Sequence, residues 1–554
     1  MTANLHNFYI YAKVFHLPEN ENIFYRITIQ YLRHNVCYLI NFGLSSKDMK
    51  RLAYIFAAVT TALAFTMLFF EKNIGLNLVI LEWITIPIMI FLNRPFKFNK
   101  LTITALLILL TTSLAVLYSH TNWTIFVNIL MFFTCNSIIA FKEYRSYMYA
   151  AFESFRNAAL SFVPQVHKKH EDGEPKMKKS KIFWLTVLAF VITMAFVILY
   201  SLGSSKFGEW VGDIIESLNF KVILLFLLGL VFANFAFRKK TEKLMTYEAG
   251  LDETIVRKRK RIFLRGLSQT LKNRNFFGVM LLGMLNIVLL FFNISDIRYV
   301  WFYSWDGAFL KEFVHNGTWI LTFAILISQM IALLFFRENL NFYSRNKLLK
   351  ILTMIWLAQN CIMTISVGIR NFWYVKYFGL AFGRIIVFFF LVLVIVGLIS
   401  IMIKVSRRKT MYYLFKVNSY AFMVVISLSA LVNWHVVIAD YNFAHSDSSF
   451  IEYSFMARLD NSALPYLVKT RAELDTIDKQ QQQAMKFDTH MDYFITSKKY
   501  EILIKMKAQE FVVEYENMSF LEWNYADEWA YRKLKNSGYL DTIGFDADWF
   551  DLIR

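Results

Sequence analysis

The sequence has few of the residues that build loops, metal centres and disulfide frameworks. Its 554 residues include three cysteines, six prolines and 19 glycines. Cys37, Cys135 and Cys361 are far apart and two of them lie in apolar runs, so their spacing indicates neither a disulfide framework nor a zinc site. So little proline and glycine leaves little room for linkers. The sequence therefore predicts a chain made mostly of regular structure, and we expect no metal and no cofactor.

Motifs for nucleotide and hydrolytic chemistry are also missing. The chain contains no phosphate-binding glycine loop, no nucleophile elbow and no HExxH motif. These absences argue against ATP hydrolysis. They leave enzymatic activity without a motif to support it, so the sequence leans toward a protein that is not an enzyme and leaves that question open.

Long apolar runs are what the sequence has in abundance. Hydrophobic residues make up 57% of the chain and aromatic residues 18%, including 56 phenylalanines, well above the usage of an ordinary soluble domain. A transmembrane helix needs about 20 predominantly apolar residues. Eleven runs come close to that length, at 52–70, 75–92, 101–118, 123–141, 182–202, 220–237, 276–293, 317–336, 349–369, 385–404 and 416–437. The sequence therefore predicts an all-α, polytopic membrane protein with about eleven spans.

The basic residues are distributed as a membrane protein requires. The formal net charge is +19, which on its own would suggest nucleic-acid binding. However, the Lys and Arg residues gather in alternate connections, among them the loops at 142–181 and 238–275, and the intervening connections hold few. By the positive-inside rule the basic loops face the cytoplasm. We therefore expect the lipid bilayer, and no nucleic acid, as the partner of this charge.

Charge and hydropathy divide the chain into three parts. Residues 1–50 lack the compact apolar core of a secretory signal, and their aromatic content predicts a cytoplasmic or interfacial segment. Residues 51–437 form the transmembrane domain, and residues 438–554 form a small, mainly helical soluble domain in which 500–515 fits either a strand or a helix. An odd number of spans that begins inside places this last domain outside the cytoplasm.

Three connections carry patterns of their own. The connection at 294–316 is crowded with Trp, Tyr and Phe, which predicts a short helix on the outer leaflet. In 142–163, one helical face is predicted to lie in the headgroup layer or against the ends of the spans; it is formed by Tyr144, Met148, Phe152, Phe155, Ala159 and Phe162. The second basic loop holds an uninterrupted basic run, which fits either an orientation signal or a site for anionic lipid headgroups; it consists of Arg257, Lys258, Arg259, Lys260 and Arg261.

Glu82 is the ionisable residue that lies closest to the centre of a predicted span. A charge at that depth is costly, so the carboxyl is expected to be protonated, partnered or exposed to a wet cavity. Pro87 removes the backbone hydrogen bond to Trp83 and is expected to kink the same helix. A carboxyl beside a kink fits an ion or proton site. A structural carboxyl bonded to a neighbouring span fits the same residues.

A group of polar residues follows the last predicted span. His435, Asp440, His445 and Asp447 are residue types that bind metals or act as general acids and bases. Their spacing does not place them on one helical face, so we expect them to form hydrogen bonds that cap the end of the span and not to bind a metal.

Four segments of the chain carry a family resemblance. They are RNFWYVKYFGLAFGRI (370–385), NWHVVIADYN (433–442), ARLDNSALPYL (457–467) and FLEWNYADEWAYRKL (520–534). Over roughly the last 300 residues of the sequence, these motifs resemble the bacterial polytopic membrane family called domain of unknown function 4153 and its relative 4173. The chain departs from the family pattern at Ala381, where threonine is usual, and at Gly383, where a larger residue is usual. The resemblance implies a multi-pass protein of the bacterial inner membrane and assigns no catalytic residue.

Three functions remain open on the sequence alone. The first is a sensor or an envelope-assembly partner, with another membrane protein as its partner, because the motifs cluster where the spans meet the last domain. The second is a transporter or channel subunit that uses Glu82. The third is an envelope enzyme acting on a lipid-linked substrate through Arg370, Arg384 and His435.

The same motifs predict a contact between the spans and the last domain. The candidate residues near the outer surface are Arg370, Arg384, Asn433, His435, Asp440, Asn442 and Asp460. A guanidinium holds a carboxylate in bidentate fashion. We therefore expect Arg384 either to clamp Asp440 or Asp460, or to extend toward the headgroups.

Overall fold

The computed structural model is almost entirely helical over the residues that it describes. These are residues 46–93, 98–141, 144–161, 179–204, 206–207, 220–237, 243–257, 265–302, 310–336, 339–484 and 495–542. The chain forms two compact units, residues 1–60 and residues 61–554. In the first unit only residues 46–60 are described, so most of the predicted segment 1–50 lies outside the described residues.

Among the described residues, thirteen α-helices precede residue 431. Their bounds are α1 Ser46–Phe69, α2 Leu76–Leu92, α3 Lys100–Ser119, α4 Asn122–Ala140, α5 Tyr147–Ser161, α6 Lys179–Gly203, α7 Phe220–Phe237, α8 Lys243–Ala249, α9 Arg265–Asp296, α10 Leu310–Phe335, α11 Lys347–Phe378, α12 Phe382–Arg407 and α13 Met411–Ala430. Eleven of them overlap the apolar runs, and the other two, α5 and α8, lie in the connections that are predicted to be cytoplasmic. Nine of the described helices are long and apolar enough to cross a membrane. The 17-residue α2 and the Ile192–Gly203 part of α6 are apolar but shorter. Each of the eleven predicted runs therefore coincides with a helix.

The remaining helices form the tail, by which we mean residues 431–542. They are α14 Trp434–Ala444, α15 Tyr453–Ala457, α16 Leu464–Leu467, α17 Arg471–Ala484, α18 Ser497–Glu516, α19 Tyr525–Asn536 and α20 Tyr539–Thr542. The tail has its own apolar core, in which Met456, Leu464, Tyr500 and Leu534 are buried. The described residues of the segment predicted at 438–554 are mainly helical, as expected, and the 500–515 segment belongs to helix α18.

The structure corrects two predicted boundaries. The span predicted at 416–437 is wrong at its end, because α13 stops at Ala430 and α14 begins at Trp434. The chain breaks there because the Asn433 side chain accepts a hydrogen bond from the Val436 N–H and so caps a new helix. The boundaries of the helix predicted at 294–316 are also wrong, because α9 continues as a π-helical turn through Trp301 and α10 already begins at Leu310; residues 303–309 lie outside the described residues.

Polar side chains hold the spans together from within. Asn286 of α9 donates to the Leu352 carbonyl of α11 over 3.0 Å, and Gln359 donates back to Asn286 Oδ1 over 3.0 Å. Asn293 donates to the Gln359 carbonyl over 3.1 Å. Hydrogen bonds between helices satisfy polar groups that lipid cannot solvate. This pairing explains how α11 carries Gln359 inside a membrane span, and the neighbouring Asn360 donates to the Trp356 carbonyl of its own helix over 2.7 Å.

The helix predicted within 142–163 is α5. Its buried side packs on the spans, where the Tyr147 hydroxyl donates to Thr104 Oγ1 over 2.7 Å and Ser154 donates to the Phe133 carbonyl. Phe152 and Phe155, from the predicted face, are exposed. A helix with one packed side and one apolar exposed side fits both placements that the sequence left open.

Candidate functional site at the junction

Three segments meet where α11 and α13 end, α12 begins and the tail follows. We call this region the junction; it comprises residues 378–385, 431–444 and 457–462. Ile385 of α12 belongs to the same buried cluster as Ile438 and Met456 of the tail. The apolar core of the tail is therefore continuous with the start of α12, and polar contacts surround that connection.

Asn442 holds the loop between α11 and α12. Its Nδ2 donates to the Leu380 carbonyl over 2.9 Å, and its Oδ1 accepts from the Leu380 N–H over 2.5 Å. The side-chain amide thus pairs with both backbone groups of one residue. Gly379 has φ +76°, and a Cβ at that position would lie 2.6 Å from Asn442 Oδ1. Glycine is therefore required both by the backbone conformation and by the closeness of Asn442.

Asn433 connects three segments at once. While its Oδ1 caps α14, its Nδ2 donates to the Ser119 carbonyl at the end of α3 over 3.0 Å. The same nitrogen donates to Ser462 Oγ in the tail over 2.9 Å. One side chain therefore fixes the start of α14 against a span and against the tail.

A hydrogen bond from the tail determines which nitrogen of the neutral His435 ring carries the proton. The Asp460 N–H donates to His435 Nδ1 over 3.0 Å, so the neutral ring carries its proton on Nε2. Burial lowers the pKa of His435; the Asp460 carboxylate opposes this shift, and the Lys507 ammonium adds to it. The ring also packs edge-on against Phe382, with 4.8 Å between the ring centres. His435 is therefore a neutral ring at the start of α12, with its N–H at Nε2.

Lys507 and Asp460 complete the tail side of the junction. Lys507 Nζ donates to the Ala457 carbonyl over 3.3 Å and to the Leu459 carbonyl. Burial lowers the pKa of Lys507, and the Asp460 carboxylate opposes that shift. Asp460 Oδ1 accepts from the Ser462 N–H over 3.2 Å. Both charged groups therefore stabilise the 457–462 turn. Within the described residues, no group of three or more His, Cys, Asp or Glu side chains could hold a metal ion.

The clamp predicted between Arg384 and Asp440 or Asp460 is wrong. Arg384 NH1 donates to the carbonyls of Phe378 and Gly379, and the guanidinium lies over the Tyr374 ring at 4.3 Å. Asp440 is exposed to solvent. Carbonyls at the C-terminus of α11 attract a cation, so Arg384 closes its own loop and does not reach the tail carboxylates.

Arg370 forms a buried ion pair that the sequence did not reveal. Its NH2 contacts the Asp296 carboxylate, and both side chains are less than a tenth exposed. Ser366 donates to the other oxygen of Asp296, and the Trp301 indole donates to Ser366 Oγ over 3.2 Å. The sequence places Asp296 in the connection at 294–316, whereas in the structure it is the last residue of helix α9. This network joins α9 to α11.

Glu82 lies in a closed cluster of neutral partners. The side chain is 2% exposed, and Oε2 accepts from Ser113 over 3.0 Å and from Asn128 over 3.2 Å. These partners belong to α3 and α4, while Pro87 lies one turn further along α2. The contacts match the expectation of a carboxyl bonded to neighbouring spans.

Residues on α3 and α19, which sequence analysis did not single out, add a second contact between the spans and the tail. His120 Nε2 contacts the Ile74 carbonyl over 2.8 Å, and its Nδ1 lies 3.6 Å from Asp527. Burial raises the pKa of Asp527, although Asn524 and His120 oppose the shift. Nearby, a Cβ on Gly75 would lie 2.1 Å from the Glu522 carbonyl oxygen. No local sequence pattern predicts these contacts, because the partners are far apart in the sequence.

An apolar cavity of about 550 Å³ opens beside the junction, between α4, α12 and α13. Trp123, Trp434 and His435 line one end, and Phe390, Leu393 and Phe422 line the other. The last three also line a second cavity, of about 670 Å³, that extends toward α5. We call the first the junction cavity.

The first residue of the basic run, Arg257, lies at the ends of the spans opposite the junction. Arg257 is exposed, whereas Lys258, Arg259, Lys260 and Arg261 lie outside the described residues. The segment before them is fixed by Glu253, which contacts Lys416 over 2.6 Å and accepts at its carbonyl from the Thr410 N–H over 3.0 Å. The side chain of Lys416 lowers the pKa of Glu253. The start of the basic run is therefore held against α13.

The long apolar helices, joined by buried polar contacts, define a multi-pass α-helical membrane protein. More particularly, the chain belongs to the family described as Domain of unknown function (DUF4153), whose model matches residues 101–470. The match begins and ends earlier than the resemblance predicted, and it leaves the 520–534 motif outside. No curated protein and no solved structure matches the chain.

Proposed function

We propose that the protein is a non-catalytic regulatory or envelope-assembly partner in the bacterial inner membrane, in which the spans and the tail act as one coupled element. The observation that supports this proposal is the junction. Asn433, Asn442 and His120 each join a span or its connecting loop to the tail through hydrogen bonds or a short polar contact. Side chains that meet backbone groups on both sides transmit a displacement of one part to the other.

The contacts of the candidate residues favour this function over the two alternatives. A lipid-linked chemistry needs free polar groups, whereas Arg370 pairs with Asp296 and Arg384 binds two carbonyls. Transport through Glu82 retains one supporting observation, the buried carboxyl beside Pro87. It stands as the second candidate.

Two substitutions separate coupling from transport. In cells whose own copy is deleted, Asn442→Ala is expected to abolish complementation of the deletion phenotype under envelope stress, because Leu380 loses both of its side-chain hydrogen bonds. Glu82→Gln, which keeps the shape and one acceptor oxygen, is expected to complement fully. Membrane levels of both variants are measured by immunoblot as the control. Loss with Glu82→Gln and full activity with Asn442→Ala would instead favour transport.

The proposal includes a topology in which the basic loops are cytoplasmic and the tail is extracytoplasmic. An alkaline phosphatase that folds only outside the cytoplasm is expected to be active when fused after Arg554 and silent when fused within 240–260, because the positive-inside rule retains basic loops. A green fluorescent protein at the same positions should give the opposite pattern. Phosphatase activity from the 240–260 fusion would contradict the topology.

The exposed Arg257 and the four basic residues after it suit anionic lipid headgroups on the cytoplasmic leaflet. Each basic residue near such a surface contributes about 1 kcal/mol. Glu253 and Lys416 support this part of the proposal, since they hold the start of the run beside α13.

A further inference from the structure

We propose that the junction cavity binds one phospholipid from the leaflet on the tail's side, with an acyl chain inside the cavity and the phosphate at His435. This inference does not depend on the proposed function. It assigns a ligand class to a cavity that the coupling argument leaves unused.

The shape of the cavity matches one leaflet. Its lining on α12 runs from Phe382 to Leu393, and that length of helix spans about 17 Å at a rise of about 1.5 Å per residue. Half of a hydrocarbon core is about 15 Å. The volume of about 550 Å³ lies in the ordinary range for ligand sites, about 300–1,000 Å³. An acyl chain of one leaflet therefore fits along the whole cavity.

The cavity is open to the bilayer on one side. Ile386 and Phe126, which line it, are 64% and 54% exposed, while Ile426 on the inner wall is 8% exposed. A chain can therefore enter sideways from the membrane and rest against a buried wall. A peptide would have to bring unpaired backbone groups into this apolar space, which is costly.

The polar groups lie at one end only. The Trp123 and Trp434 indoles donate to the hydroxyl and the carbonyl of Ser429 over 3.0 and 2.8 Å, and tryptophan prefers the headgroup level. His435 lines the same end of the cavity. Because Nδ1 is occupied by the Asp460 N–H, the donor that the neutral ring can present is Nε2–H. A phosphate oxygen is a matching acceptor at that depth.

The test uses photo-crosslinking in nanodiscs of phosphatidylethanolamine and phosphatidylglycerol. The probe is phosphatidylethanolamine with a diazirine in one acyl chain. We expect labelled peptides from Phe382–Leu393 and Phe422–Ser429 to exceed those from the exposed face of α10 several-fold. Equal labelling of all exposed spans would mean that the probe reports ordinary boundary lipid. Absence of label from these two segments would mean that another part of the chain or a partner fills the cavity. Either result would overturn the proposal.

Adjacent residues on α13 supply matched variants. Val425 lines the cavity, whereas Val424 does not line it and is 47% exposed. Val425→Trp is expected to remove most of the labelling of these segments, and Val424→Trp to keep it. Ile386→Trp is a second blocking variant at an exposed lining position, and resistance of the tail to trypsin confirms folding of each variant. Equal labelling in Val425→Trp, Ile386→Trp and wild type would refute the site.

A second probe tests the phosphate contact. Diacylglycerol that carries the same diazirine chain lacks the phosphate, and it is expected to label the two segments several-fold less than the phospholipid does. His435→Phe, which removes the donor, should reduce labelling by the phospholipid to the level of diacylglycerol. Equal labelling by both lipids in wild type would refute the role of His435.

Discussion

Gly379→Ala is expected to release the tail from the spans. The residue has φ +76° and ψ −178°, a region that is essentially reserved for glycine and costs about 1–3 kcal/mol for other residues. The added Cβ would also displace Asn442, which lies 2.6 Å away, and each hydrogen bond that Asn442 loses is worth about 1 kcal/mol. A total of about 3 kcal/mol raises the population of the released tail on the order of 100-fold. Limited trypsin digestion in nanodiscs should then cleave the tail faster by a similar factor, since cleavage follows the open population.

Gly383→Ala is the matched control for this prediction. Gly383 lies in the first turn of α12, and a Cβ there meets nothing within 4 Å. Alanine in a helix is more favourable than glycine by about 0.5–1 kcal/mol, so the tail should be cleaved no faster than in wild type. If Gly379→Ala and Gly383→Ala are equally resistant, the loop does not hold the tail.

The sequence was sufficient for the membrane helices because their signal is local. A run of apolar residues indicates a span, and each of the eleven runs overlaps a helix. Helix ends were harder to place, since they depend on individual caps. The apolar residues on both sides of 431–433 hid the break, which Asn433 produces by capping α14.

The contacts of the junction could be predicted only in part. The motifs drew attention to Asn433, His435 and Asn442, because polar residues concentrated at the end of a span need partners. Which partners they have depends on how distant segments pack. Asn442 meets a backbone loop, and Arg384 meets the carbonyls of its own loop. Charge alone points an arginine toward carboxylates, although backbone carbonyl oxygens accept from a guanidinium as well.

Breaking the buried ion pair between α9 and α11 is expected to have the largest effect on the stability of the spans. Asp296→Leu leaves the Arg370 guanidinium buried without its counter-charge, and Arg370→Met leaves the carboxylate in the same position. Removing one member of a buried pair costs about 3–5 kcal/mol. The measurement is size-exclusion chromatography of detergent-solubilised protein after heating. Each single variant should lose its monodisperse peak at a temperature several degrees below that of wild type.

The double variant Asp296→Leu/Arg370→Met distinguishes the pair from general damage to the helices. Replacing both charges by apolar groups is often neutral or stabilising by about 1–4 kcal/mol, and the double variant is therefore expected to recover most of the loss. Arg298→Met is the surface control, because Arg298 is exposed two residues beyond Asp296; it should behave like wild type. A double variant less stable than either single variant would show that the two side chains act independently. Recovery would show that Asp296, which the sequence placed in a loop, is the counter-charge that allows Arg370 to lie inside the membrane domain.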